Sequence, residues 1–338
     1  MAAEAMNDTV TVRAAQAGDE AAFERLVGDY RRELYAHCYR MLGSVADAED
    51  ALQEALLRAW RALPRFEGRS SLRSWLYRIA TNACLRMIER RPARVLPIDY
   101  GPAADPHDDP AAPLAESVWI EPYPDDQLPV DAGYEQREAV ELAFIAALQH
   151  LPARQRAVLI LRDVLGFSAR EVAEALDTTS VSVDSALQRA HKSIDERVPA
   201  RTQQATLRAL GDEELRAIVD RFTAAWERAD VDAVRTMLAE DAVFAMPPHP
   251  LWFTGRDAIA DFLGRWPLRG GAPRERLLPT RANGQLAFGH YRLKDGRFAA
   301  HALIVLTLRA REIAEFTVFL TPEPFARFGL PETLEEPR

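Results

Sequence analysis

The sequence predicts a multidomain fold: two all-α domains, the second carrying a helix-turn-helix, followed by an α+β domain. Three observations carry the prediction. Between Leu151 and Arg197 two short amphipathic segments flank a polar turn. From Thr11 to Arg91 the apolar residues keep a helical period. Beyond Leu207 the pattern changes to β-rich runs joined by Asn283-Gly284 and Asp295-Gly296, both strong hairpin-turn signals. At 338 residues the chain has room for two or three ordinary domains.

In the first helical domain, Phe23, Leu26, Val27, Tyr30, Leu34, Cys38 and Met41 form one buried stripe that Gly43 ends. Ser44 caps the next helix, with Leu52, Leu56, Ala59 and Leu63 inward and Asp47, Asp50, Gln53, Glu54 and Arg61 on outer faces. Pro64 stops it. After a loop from Arg65 to Ser70, a third helix capped by Ser70 or Ser71 turns Leu72, Leu76, Ile79, Ala83 and Met87 to the core. Pro92 to Pro129 holds nine prolines and little periodicity, the pattern of an extended linker, within which Trp119, Ile120 and Tyr123 are candidates to dock on a surface.

The second helical domain starts near Tyr134. Ser168 with Glu171 three residues on is a capping box that starts a helix over Ala169 to Leu176, with Ala173 small enough for a close crossing. Asp177, Thr178 and Thr179 supply the turn. The following helix buries Val183, Leu187, Ala190 and Ile194 and projects Ser182, Ser185, Gln188, Arg189 and Lys192 outward, where a major groove could receive them. The last domain reads as helices over Asp212 to Trp226, Asp230 to Leu238 and Arg256 to Trp266. Its strands are Ala242 to Met246, Leu251 to Thr254, Leu277 to Ala282, Gln285 to Leu293, Phe298 to Leu308 and Glu312 to Leu320, in a curved antiparallel sheet.

The formal charge of −9 excludes a protein that coats nucleic acid indiscriminately, yet it conceals a local asymmetry. Ten arginines from Arg58 to Arg94 face only Glu67 and Glu89, while eleven carboxylates from Asp99 to Glu138 face only Arg137. Polyanion contact beside an acidic tether is the expectation. Cys38 and Cys84 lack any CxxC or neighbouring His and read as small core residues, so neither a disulfide framework nor a metal site is expected. P-loop and glycine-rich nucleotide fingerprints are absent, and no cofactor is expected. With neither a signal-peptide pattern nor an apolar run approaching the ~20 residues of a membrane span, the chain reads as cytoplasmic with no membrane contact.

The segments AEDALQEALLRAW (Ala48 to Trp60) and RFEGRSSLRSWLYRIATNACL (Arg65 to Leu85), followed by the helix-turn-helix, resemble bacterial sigma-70-family factors of the extracytoplasmic function group. The tail from about Leu207 resembles a SnoaL-like domain, a cone-shaped α+β fold shared with polyketide cyclases and ketosteroid isomerase. The resemblance implies region 2 over 10–92, an acidic linker over 93–133, region 4 over 134–198 and the SnoaL-like domain over 207–322. Its implied partners are core RNA polymerase, through the β′ and β subunits, and promoter DNA. Asp47, Asp50, Gln53, Glu54, Leu57 and Trp60 would meet a coiled coil of β′. Phe66, Arg69, Ser70, Ser71, Arg73, Trp75, Arg78 and Asn82 would handle a melted −10 element, although Trp75 among Leu72, Leu76 and Ile79 reads more readily as core. Ser182, Asp184, Ser185, Gln188, Arg189 and Lys192 would read the −35 element. Asp184 departs from the Lys or Asn often found there. A carboxylate repels phosphate, though it can accept from a cytosine amino group.

For the last domain the acid–base candidates are Asp241, His249, Asp257, His290, Tyr291 and His301, amid apolar Trp226, Phe244, Met246, Trp252, Phe262, Phe288 and Phe316. They make no convincing catalytic constellation, so the expectation is no enzyme but a regulatory domain able to hold a small ligand. The alternative is a helix-turn-helix regulator fused to a ligand-binding or enzymatic domain.

Overall fold

The computed structural model describes residues 10–110, 112–114, 118–129, 137–198, 201–269, 275–320 and 324–335; Tyr134, the expected start of the second helical domain, lies outside them. Among the described residues the chain forms two compact units. One draws on Met1–Ala93, Gln127–Glu135 and Ala147–Val198, the other on Arg94–Asp126, Gln136–Ala146 and Pro199–Arg338.

In the first unit Asp19 starts the helix Glu20–Leu42 by accepting the Ala22 N–H at 3.0 Å, and Gly43 ends it at φ 67°, a left-handed conformation that favours glycine. Ser44 caps Val45–Ala62, and Ser71 rather than Ser70 caps Leu72–Ile88. Cys38 and Cys84, remote in sequence, meet thiol to thiol in the shared core. The helix-turn-helix consists of Ala169–Ala175, with both halves of the Ser168–Glu171 capping box formed, and Ser180–Asp195. Asp177 takes φ 49° in the turn between them.

A buried cation joins the two helical halves. Arg156, 3% exposed, donates to Met41 O at 2.5 Å, Gln149 Oε1 at 2.6 Å and Gln149 O at 3.0 Å. It thereby sits at the carbonyl end of Glu20–Leu42, where positive charge is favoured. Burial lowers its pKa to about 10, which leaves it charged at neutral pH.

The second unit is built on strands β1 (Leu238–Ala245), β2 (Trp252–Thr254), β3 (Glu275–Ala282), β4 (Gln285–Lys294), β5 (Arg297–Arg309) and β6 (Glu312–Phe319) in the order β2-β1-β6-β5-β4-β3. The antiparallel expectation holds for every pair in this order except β1 and β6, which run parallel. The β3–β6 meander delivers β6 between β1 and β5, where the preceding reversals leave it running with β1. Helices Gln203–Glu227, Val231–Met237 and Arg256–Arg265 join the sheet in an apolar core that includes Phe222, Trp226, Phe244, Phe262, Phe288 and Phe316. Gly211, at φ 76°, interrupts the first of these helices. The Asn283-Gly284 and Asp295-Gly296 turns have positive φ at both central residues, as their composition requires.

The acidic linker is not a bare tether. Trp119, Ile120 and Tyr123 are buried, and Trp119 Nε1 donates to Pro248 O at 3.0 Å. Val95 bridges to Trp119 in parallel, while Ala104 N–H reaches Trp252 O at 2.8 Å. The β3–β4 turn gathers what remains. Asn283 Oδ1 accepts the Tyr123 N–H at 2.8 Å, and its Nδ2 donates to Val140 O at 2.6 Å. Gly284 N–H donates to Asp125 Oδ1 at 2.7 Å, and Gln204 Nε2 donates to Gly284 O at 2.5 Å. A Cβ on Gly284 would lie 2.6 Å from Gln204 Nε2 and 3.2 Å from Arg137 O. Nearby, Glu141 accepts the N–H groups of Gln203 and Gln204, each at 2.9 Å, at the start of a helix.

Two outcomes follow from this network. Asn283→Ala leaves a buried N–H and a buried carbonyl unpaired, so the second unit should lose about 3 kcal/mol and amide exchange across 118–125 should accelerate; unchanged exchange there would contradict the anchoring role. Burial pushes the Glu141 carboxyl up to about 7 from 4.5. A raised acid pKa contributes full stability below the unfolded value and loses it as pH climbs through the folded one, so Glu141→Gln should match the parent at pH 4 and exceed it by roughly 2–3 kcal/mol at pH 8 in urea denaturation. A pH-independent difference would refute the assignment.

Candidate functional site

On the helix Val45–Ala62, Asp50, Gln53, Glu54 and Leu57 lie at i, i+3, i+4 and i+7 and are all exposed, Leu57 at 45%. This is an acidic and apolar stripe on one face. Asp47, expected beside it, is 4% exposed and ion-paired with Arg91, so its carboxylate is spent inside the molecule. Trp60 is half-buried with its ring 5.1 Å from Phe23.

The Arg and aromatic block divides in the same way. Arg69 and Arg78 are exposed, the Arg69 Nε being 3.1 Å from Glu67. Ser71 is occupied as a helix cap, while Ser70 and Asn82 are half-buried. Trp75 is 7% exposed and packs on half-buried Phe66 with ring centroids 5.0 Å apart, so it belongs to the core rather than to a base platform. Arg73 is also withdrawn. Its Nε pairs with Glu33 Oε2 at 3.1 Å, its guanidinium lies 5.0 Å from the Tyr77 ring centre and 4.8 Å from that of Phe167, and Nη1 donates to Leu165 O at 3.4 Å. With the Ser74 hydroxyl donating to Glu171 at 3.0 Å, it fastens the first helical half to the second.

On Ser180–Asp195, residues Ser182, Asp184, Gln188, Arg189 and Lys192 are exposed and Ser185 is half-buried, opposite buried Val183, Ala190 and Ile194. The Ser182 N–H is taken by Thr179 Oγ1 at 3.2 Å, the helix cap. Sequence reasoning passed over Val181, which is 76% exposed in the first turn of this helix. An exposed β-branched residue beside a polar face was the available signal.

In the second unit a cavity of about 260 Å³ is lined by Trp226, Phe244, Met246 and Phe262 on its apolar side and by His249, His290, His301 and Arg292. The other acid–base candidates lie elsewhere. Asp241 is exposed and ion-paired with Arg309, which holds its carboxyl below the ordinary range. Asp257 is exposed and pairs with Arg235 at 2.5 Å. The Tyr291 hydroxyl donates to Pro331 O at 2.9 Å, and Trp252 Nε1 donates to Gly101 O at 2.8 Å in the linker. Glu275, which the sequence did not single out, is 6% exposed and bonds both His290 Nε2 and, at 3.0 Å, Arg292 Nε. Burial pushes its carboxyl up, but the His290 and Arg292 contacts outweigh that and its pKa is lowered. Burial lowers His290, and takes His301 down to about 4. The carboxylate is thus ionised and both imidazoles neutral at pH 7. Among the described residues no group of His, Cys, Asp and Glu is arranged to hold a metal ion, and no helix is long and apolar enough to cross a membrane.

Models of known families match the chain in three places: sigma-70 region 2 at residues 26–93, sigma-70 region 4 at 135–194 and a SnoaL-like domain at 219–316. The chain is 42% identical over 336 residues to the ECF RNA polymerase sigma factor SigG of Mycobacterium tuberculosis (strain CDC 1551 / Oshkosh), covering 96% of this chain and 90% of that protein. It is 29% identical over 187 residues to the ECF RNA polymerase sigma factor SigW of Bacillus subtilis (strain 168), covering 54% of this chain and 92% of that one. The crystal structure of the Mycobacterium tuberculosis extracytoplasmic function sigma factor SigJ shares the fold at a TM-score of 0.59 and 24% identity, over 89% of this chain and 97% of that one.

Arg73→Ala should cost about 1–2 kcal/mol, the sum of a half-exposed ion pair and two cation–π contacts. Amide exchange around 165–171 should quicken in Arg73→Ala and stay as it is in Arg78→Ala; equal behaviour of the two variants would deny Arg73 its fastening role.

Proposed function

The chain belongs to the extracytoplasmic function group of sigma-70-family RNA polymerase sigma factors, and from that premise we propose how it acts. It docks on core polymerase through the stripe Asp50, Gln53, Glu54 and Leu57, with Trp60 at its end. It meets the −10 element with Arg69, Arg78 and the edge of Phe66, and the −35 element with Gln188, Arg189 and Lys192. Gln and Arg suit purine edges, and Lys suits phosphates. Val181 offers an apolar contact for a thymine methyl. The observation that carries this reading is the presence in one chain of a groove-sized polar helix face and a separate acidic, apolar stripe, which a stand-alone DNA-binding regulator would not need.

The helical unit as described is a resting arrangement. The two promoter elements lie roughly 25 base pairs apart, about 85 Å at ~3.4 Å per step. A body of roughly 150 residues has a radius of gyration of only about 15 Å, so its halves cannot reach both elements while packed together. The contacts of Arg73, Ser74 and Arg156 must therefore open. The linker supplies the reach: residues 94–126, held on the C-terminal unit here, would span up to ~110 Å if fully extended. The SnoaL-like domain regulates initiation by holding or releasing this strap, and its cavity takes a small ligand. No reaction is assigned to it, since the Asp241 and Asp257 carboxylates point into solvent-facing ion pairs. Acting with polymerase places the protein in the cytoplasm.

In run-off transcription with core polymerase and a promoter library, the full chain should support promoter-specific initiation. Asp50→Lys with Glu54→Lys should lower it at least tenfold, Arg189→Ala should weaken it at the −35 element, and truncation after Ala200 should change its level. Duplex binding that proceeds equally well without polymerase, and no initiation with it, would favour the helix-turn-helix regulator instead.

A further inference from the structure

The polar end of the cavity is assembled from three strands. Along β4, Phe288, His290 and Arg292 alternate onto one face. Glu275 of β3 lies opposite Arg292 in register. The pairing of β4 with β5 skips one residue: His290 is opposite Ala302 and Tyr291 is opposite Ala300, leaving His301 as a bulge. Bulges of this kind re-aim a side chain. Here the bulge brings His301 to the cavity wall, its ring 5.2 Å from that of His290.

Two features of this cluster are incomplete. His290 gives its Nε2 to Glu275, and its Nδ1, fully buried, makes no hydrogen bond among the described residues. Arg292 uses Nε on Glu275, and among the described residues neither of its Nη groups is engaged in a hydrogen bond or ion pair. A guanidinium with both terminal nitrogens open presents the fork that matches a carboxylate. The remaining wall is apolar and aromatic, and the volume, about 260 Å³, sits at the small end of ligand pockets.

We propose that this cavity binds a small, flat carboxylate of one or two rings, its anionic group forked by Arg292 beside His301 and its ring stacked among Trp226, Phe244 and Phe262. The charge at the polar end favours an anionic over a neutral ligand. Glu275 is satisfied by His290 and Arg292 and does not line the cavity, so Arg292 is the one charged residue among the lining residues, with neutral His290 presenting its Nδ1 as an acceptor. Pro110 of the linker also lines the cavity, so an occupant would touch the strap whose release the proposed regulation requires. The inference names the ligand of that regulatory domain and rests on that reading only for its consequence. Binding itself is measured without polymerase, so a failure here is separable from a failure of initiation.

The test is calorimetric titration of the full chain with 2-naphthoate and with its uncharged analogue 2-naphthamide. Naphthoate should bind at one saturable site, at least tenfold tighter than the amide. Arg292→Leu should erase that preference, while Arg292→Lys, which keeps a cation beside Glu275, should keep part of it and melt near the parent. Val318→Trp, which fills the cavity, should abolish both titrations. Absence of saturable naphthoate binding, equal affinity for acid and amide, or a preference that survives in Arg292→Leu would each overturn the proposal.

Discussion

The C-terminal unit depends on one two-residue turn. Asn283 and Gly284 reverse the chain between β3 and β4 with positive φ at both positions, and the same residues bond backbone or side-chain groups from three other stretches. Tyr123 and Asp125 come from the linker, Val140 from the segment that opens region 4, and Gln204 from the helix that begins the SnoaL-like domain. Buried polar networks of this kind are costly when one member is missing, because each orphaned group forfeits its hydration without replacement. The turn therefore makes the docking of remote segments interdependent. It also gives the acidic, proline-rich stretch a partner: Tyr123, buried beside Trp119 and Ile120, and Asp125 bond an already rigid hairpin.

In the helical unit the same economy applies to charge. Several cations in a block whose composition pointed to nucleic acid are used within the protein. Arg91 neutralises Asp47, and Arg73 lies against Glu33, Tyr77 and Phe167. Arg156, on the second half, reaches a helix end of the first. Arg69 and Arg78 are left exposed for solvent or phosphate. Beside the Tyr77–Phe167 ring contact, the arginines and hydroxyls that fasten the two halves suit the opening proposed above, because such groups recover water on separation.

The cavity sets a carboxylate beside an imidazole, apart from the other acid–base candidates. Glu275 and His290 form a carboxylate–imidazole pair, but the carboxylates expected to supply acid–base chemistry are exposed and paired with arginines on the surface. In the reading proposed above, the polar end orients a ligand through Arg292.

The local features were legible in the sequence: the Ser168–Glu171 capping box, the Gly43 stop, a helix start at Ser70 or Ser71, both positive-φ hairpin turns, and the polar face of Ser180–Asp195. Each is set by residues within about one helical turn or one hairpin of each other, where steric and hydrogen-bonding preferences act without help from the rest of the chain. Only the tertiary structure decided that Asp47 and Arg73 turn inward, that β1 and β6 run parallel, that the linker lies docked, and that Glu275 meets His290 beside a bulged His301. Those outcomes depend on which distant surfaces come together. A carboxylate or guanidinium at a helix surface carries the same local signal whether its partner is water, DNA or an arginine some forty residues away.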